Sequence, residues 1–201
     1  MLSSTQTLPE GYIQVYEIDL ARNKRLAVLL NVAGFFISIL SFTLLAIFAI
    51  RGHPGLFGET INFIVNTSTI GQFLGLLAAA ALMLVMHELI HGIFFLMFTH
   101  SKPVFGLRLA YAYAASPSWF IPTRQYGIIG LAPLVIITAI GLLLILLAPA
   151  GRVLPVILIT AIQIGGSAGD MLVSARLFRT SPAGLINDTG DRVCFFEPAC
   201  Q

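Results

Sequence analysis

Residues 70–98 read IGQFLGLLAAAALMLVMHELIHGIFFLMF, an apolar run broken only by a short cluster of His87, Glu88 and His91. A run of this length crosses the ~30 Å hydrocarbon core of a bilayer as a helix. On a helix, positions i and i+4 share a face, so both imidazoles of His87-Glu88-Leu89-Ile90-His91 can turn toward one metal ion. Glu88 follows the first histidine and can reach a water on that metal. Zn²⁺ lowers the pKa of such a water to about 7, which makes a nucleophile available at neutral pH. Ionisable groups buried in a membrane cost several kcal/mol each, so three together imply a use.

Working outward, three further apolar segments accompany this one. Leu26 to Ile50 is a charge-free run of 25 residues, Tyr126 to Ala148 is a third span, and Val153 to Phe178 a fourth, interrupted by Asp170. With 57% hydrophobic residues, 10% charged residues and a mean hydropathy of +0.92, the chain reads as an integral membrane protein. The expected fold is therefore all-α and polytopic: four transmembrane helices with a short cytoplasmic strand or hairpin between helices 2 and 3. The expected organisation is a cytoplasmic N-terminal segment (1–25), a four-helix membrane domain (26–180) and a cytoplasmic C-terminal tail (181–201). The N-terminal stretch is too polar for a cleavable signal peptide. Cys194 and Cys200 read as reduced thiols of the tail. A net charge of +2 gives no reason to expect nucleic acid as a partner.

The basic residues are partitioned. Arg22, Lys24, Arg25, Lys102, Arg108, Arg124, Arg176, Arg179 and Arg192 fall on one side of the expected spans, and only Arg51 and Arg152 on the other. The positive-inside rule then places both termini and the segment Thr99 to Gln125 in the cytoplasm.

Two histidines and a water leave one tetrahedral position open on zinc. The other intramembrane acid is Asp170, in Gln163-Ile164-Gly165-Gly166-Ser167-Ala168-Gly169-Asp170. His91 and Asp170 each lie about eight residues before the cytoplasmic end of their spans, hence at one depth, roughly 12 Å from that face. The small residues 165–169 would let span four approach span two closely. His87, His91 and Asp170 are thus the candidate zinc ligands and Glu88 the candidate general base. Gln163 lies two helical turns before Asp170, and Ser167 flanks the same face; both are candidates for a substrate hydrogen bond.

Val104 to Ala115 alternates over part of its length, placing Leu107, Leu109, Tyr111 and Tyr113 on one face. A strand here could pair with an extended substrate, with Leu107, Leu109 and Tyr111 contacting it, or could anchor the chain at the interface. Asp188-Thr189-Gly190-Asp191 reads as a solvated surface turn.

The two metal motifs resemble the core of the site-2-protease type of intramembrane zinc metalloprotease. His87 to Gly92, Ala114-Ala115-Ser116-Pro117, Gly166-Ser167-Ala168-Gly169-Asp170 and Asp188-Thr189-Gly190-Asp191 resemble more closely a prokaryotic family of zincin membrane peptidases. The resemblance runs from about Tyr12 to Phe196. Site-2 proteases carry the third ligand as Asp-Gly within a longer motif; here Met171 follows Asp170. The resemblance implies a zinc endopeptidase acting on a membrane protein or peptide in a prokaryotic cell membrane. Two other readings use the same residues: a membrane protein that senses or carries a divalent metal, and an inactive protease-like scaffold. Polar groups gathered at one depth, with Glu88 where a base is needed, favour the peptidase.

Overall fold

The computed structural model describes residues 3–53, 69–108 and 111–199. Among them the chain runs β1 (Tyr12–Asp19), α1 (Lys24–Gly52), α2 (Thr69–Thr99), β2 (Val104–Leu107), β3 (Ala112–Ala115), β4 (Phe120–Pro122), α3 (Thr123–Leu147), α4 (Ala150–Gly166), α5 (Ala168–Leu177), β5 (Leu185–Asp188) and β6 (Arg192–Pro198). This corrects the all-α, four-helix expectation. The fold is mixed, with five described helices, a four-stranded antiparallel sheet in the order β1-β6-β5-β4, and a β2–β3 hairpin.

Three helices are long and apolar enough to cross a membrane: Lys24–Gly52, Ile70–Thr99 and Thr123–Leu147. The expected fourth span is instead two helices, α4 and α5, separated by a break at Ser167. The cause is local. Gly165, Gly166 and Gly169 surround the break, and each glycine inside a helix costs roughly 1 kcal/mol relative to alanine. Gly165 also packs against a helix that the sequence did not single out. A Cβ at Gly165 would strike the Gly34 carbonyl and Ser38 Oγ of α1.

The chain divides into two compact units. The first holds Met1–Asn31, His87–Pro133 and Gly169–Gln201; the second holds Val32–Met86 and Leu134–Ala168. In the second, Leu45, Ala49, Ile145, Val153, Ile157 and Ala161 form the buried core. In the first, the sheet and the helix ends share a core built on Phe95, Ile121, Tyr126, Ile129, Ile186 and Phe195.

Local chemistry sets the boundaries. Asn23 Oδ1 accepts the Leu26 N–H and caps α1. The α2 helix stops at His100, whose positive φ of 53° lets its N–H close on Leu96 O, and Pro103 follows. Thr123 holds the start of α3 by donating its hydroxyl to Gly184 O at 2.9 Å. Both chain ends enter the sheet: β1 pairs β6 from Tyr12↔Pro198 to Asp19↔Arg192, and Thr5 bridges Phe120 at the opposite edge. The segment expected to be a tail is thus the sheet's centre, with Val193, Cys194 and Phe195 buried. Cys194 is a free thiol; Cys200 lies outside the described residues.

Candidate metal centre

His87 and His91 project from one face of α2, and both are buried. Their rings meet edge to face with centroids 4.9 Å apart, and their Nε2 atoms lie 3.2 Å apart. From the first turn of α5, Asp170 places Oδ2 3.0 Å from His87 Nε2 and Oδ1 3.4 Å from His91 Nε2. Four ligands at 2.0–2.1 Å around a tetrahedral zinc stand about 3.3 Å from one another. The three observed edges bracket that spacing, so the donor set fits a zinc ion in both chemistry and size. The structure brings these three sequence candidates together, and among the described residues they are the group that could hold a metal ion.

The orientation of His91 is fixed from behind. Its Nδ1 donates to Ile129 O of α3 at 2.8 Å, which leaves Nε2 turned toward His87 and Asp170. Glu88, the next residue after His87, is partly exposed and lies within electrostatic reach of the Ala114 N–H in β3. Neither Ile129 nor Ala114 is legible as a site residue in the sequence, because each contributes only backbone.

The β2–β3 hairpin lies back along α2 rather than beyond its end. A Cβ on Gly92 would come within 2.5 Å of the Phe105 ring and 3.2 Å of Pro103, so only glycine beside His91 admits this packing. At the other end the hairpin meets the β5–β6 turn. Arg108 donates Nε and Nη2 to Asp191 at 3.1 and 2.6 Å, and Tyr111 Oη donates to the same carboxylate at 2.7 Å. Arg108 holds the Asp191 carboxyl below its usual range; burial, then Asp191, pushes the Tyr111 phenol up to about 12. Gly190, at φ +88°, turns the chain where a Cβ would strike the Tyr113 ring.

Asp188 is buried rather than solvated. Its carboxylate accepts Tyr126 Oη and, at 2.7 Å, the Gly190 N–H. Burial pushes its carboxyl up to about 6, against the two hydrogen bonds and the positive side of His91. Tyr126 stands one turn before Ile129 on α3, so this pair ties the sheet to the helix that orients His91. The expectation of a solvated surface turn is thereby corrected for Asp188, because only the fold supplies the tyrosine.

Other candidates fare differently. Leu107 is exposed on β2, and Tyr111 is engaged by Asp191; Leu109 lies outside the described residues. Gln163 and Ser167 belong to the second unit, where Gln163 Nε2 donates to Ser167 Oγ at 3.4 Å and Ser167 Oγ donates to Gln163 O at 3.1 Å.

Neither the curated proteins nor the solved structures include a match to the chain. A family model does match, over residues 80–185, and its description is "Putative zincin peptidase". The matched stretch contains His87, Glu88, His91 and Asp170 and covers just over half of the 201 residues, so the chain belongs to that zincin family.

Proposed function

We propose that the protein is a membrane-embedded zinc metalloendopeptidase, similar to the site-2 proteases, that hydrolyses peptide bonds of membrane-associated substrates. The observation that carries this reading is the triangle of His87 Nε2, His91 Nε2 and Asp170 oxygens at 3.0–3.4 Å, with Glu88 adjacent. A zinc ion held by these three supplies a Lewis acid that polarises a carbonyl and acidifies water. Glu88 takes the proton from the attacking water and returns it to the leaving amine. The Ile129 carbonyl keeps His91 from rotating away.

An extended substrate needs backbone partners, because unwinding a helix inside a membrane leaves its polar groups unsatisfied. Arg108 N bonds Tyr111 O at 2.8 Å at the hairpin's closed end. Alternation along the register then turns the N–H and C=O groups of Ala112 and Ala114 away from β2. Among the described residues no strand pairs with that edge, and Glu88 stands at it. A substrate strand adds there, beside the base. This moves the substrate contact from the side chains of Leu107, Leu109 and Tyr111 to the β3 backbone. In a prokaryotic cell membrane, both termini and the hairpin face the cytoplasm.

Zinc content and peptide cleavage of the purified protein, beside His87→Ala, Asp170→Ala and Glu88→Gln forms, test the proposal. The ligand variants should lose zinc and activity, and the Glu88 variant activity alone. Full zinc occupancy in both ligand variants overturns the site; zinc binding without cleavage of any membrane or soluble peptide overturns the peptidase in favour of metal sensing or carriage.

A further inference from the structure

One proline stands inside α3, at position 133, and it is fully buried. In an unbroken helix the residue at 133 donates its N–H to the carbonyl four residues earlier, which is Ile129. Proline has no N–H, and its ring crowds that same carbonyl. The Ile129 oxygen therefore lacks its ordinary helical donor in a buried setting, where a carbonyl without a partner is costly. The donor that reaches it is His91 Nδ1, at 2.8 Å. A carbonyl only accepts, so His91 carries a hydrogen on Nδ1, and Nε2 is the nitrogen turned to His87 and Asp170, where a bound metal would take its lone pair.

We propose that Pro133 is a positioning residue of the metal centre: by withholding a backbone N–H it reserves the Ile129 carbonyl for His91 and fixes that imidazole as the Nδ1–H tautomer with Nε2 turned to the ligand cluster. The inference rests on the reading of His91 as a ligand. It deepens that reading by assigning the partner behind the histidine, and the residue that frees this partner, to a helix otherwise built for spanning. A proline that merely bends α3 would leave His91 indifferent to the N–H at 133.

The bending role and the positioning role separate on replacement by a residue that restores the N–H. Pro133→Ala offers Ile129 O a helical donor and relieves the ring crowding, so thermal stability in detergent should hold or rise. Zinc affinity, measured by competition with a chromophoric chelator, should nonetheless fall about 10–100-fold, the usual effect of losing the partner that orients a metal-bound histidine. Nitrogen NMR of the metal-free full-length protein with labelled histidine should show the His91 Nδ1 fully protonated in the parent and only partly so in the variant. Pro133→Ser, which restores the same N–H, repeats both measurements should the alanine form fail to fold. Unchanged zinc affinity together with an unchanged Nδ1–H signal in either variant overturns the proposal, as does a parent His91 whose Nδ1 carries no proton. The two readings fail differently. A His87→Ala form that keeps its zinc discredits the metal site, whereas the tautomer measurement, made without metal, still decides what Pro133 does to His91.

Discussion

Glu88 and Asp188 are both carboxylates near the centre, and their surroundings give them different work. Glu88 is partly exposed and stands outside the His87–His91–Asp170 group, which suits the proposed general base. Replacing it with glutamine removes the base and keeps the shape. Cleavage should fall roughly 10²–10⁴-fold with zinc content unchanged, measured by metal analysis beside a peptide assay. Asp188 is buried against Tyr126, and its folded-state carboxyl sits near 6 against an unfolded value of 3.8. A raised acid favours the folded state most below the lower value, and that contribution is lost as pH rises through the higher one. In chelator-treated protein the parent should therefore lose stability relative to Asp188→Asn between about pH 4 and 6, by on the order of 3 kcal/mol at most. Thermal unfolding across that range checks it; parallel pH profiles for the two forms would show that Asp188 does not titrate there.

The β2–β3 hairpin depends on contacts that sequence periodicity does not specify. Gly92→Ala drives a Cβ into the Phe105 ring and Pro103 and should cost about 1–3 kcal/mol of packing, expressed as a displaced hairpin. Cleavage should drop with zinc retained, and adding Phe105→Ala should restore much of it by removing the obstacle. Failure of the second change to rescue the first would mean that Gly92 matters for another reason. Ala112→Pro probes the other side of the same element. The Ala112 N–H points away from β2, so proline there leaves the hairpin ladder intact and removes one donor from the free edge. A substrate that pairs with this edge should be cut about fivefold more slowly, in keeping with about 1 kcal/mol per hydrogen bond. An undiminished rate would remove the edge from the account of substrate binding. The ion pair of Arg108 with Asp191 closes the hairpin's end, but Arg108 is largely exposed, so its contribution is small and weakens with salt.

Across the whole chain, the orientation follows from charge. Under the proposed orientation, nine basic residues against two would put both termini and the hairpin in the cytoplasm. Single cysteines at Glu10, Lys102 and Thr67, in a background with Cys194 and Cys200 replaced, should react with a membrane-impermeant reagent in intact cells only at Thr67. Reaction at the first two alone reverses the orientation and moves the metal centre toward the outer face.

Read alone, the chain already displays the apolar helices, the charge asymmetry and the three side chains that gather into the candidate metal group. Helical periodicity and hydropathy are local properties, and a His-Glu-x-x-His spacing carries its geometry with it. It also placed a hairpin between Val104 and Ala115. What it could not convey was every partner supplied from far along the chain. The strands Tyr12–Asp19 and Arg192–Pro198 are short and half-polar, and they become strands because each satisfies the other's backbone across most of the protein's length. The break at Ser167 sits in a run whose hydropathy still passes for one span. Asp188 looked like a surface turn until Tyr126 was brought to it, and the carbonyl of Ile129 became part of the centre only when α2 and α3 were set side by side. Backbone groups have no signature in a sequence, and a buried charge is recognisable only by what surrounds it; both are decided by tertiary packing.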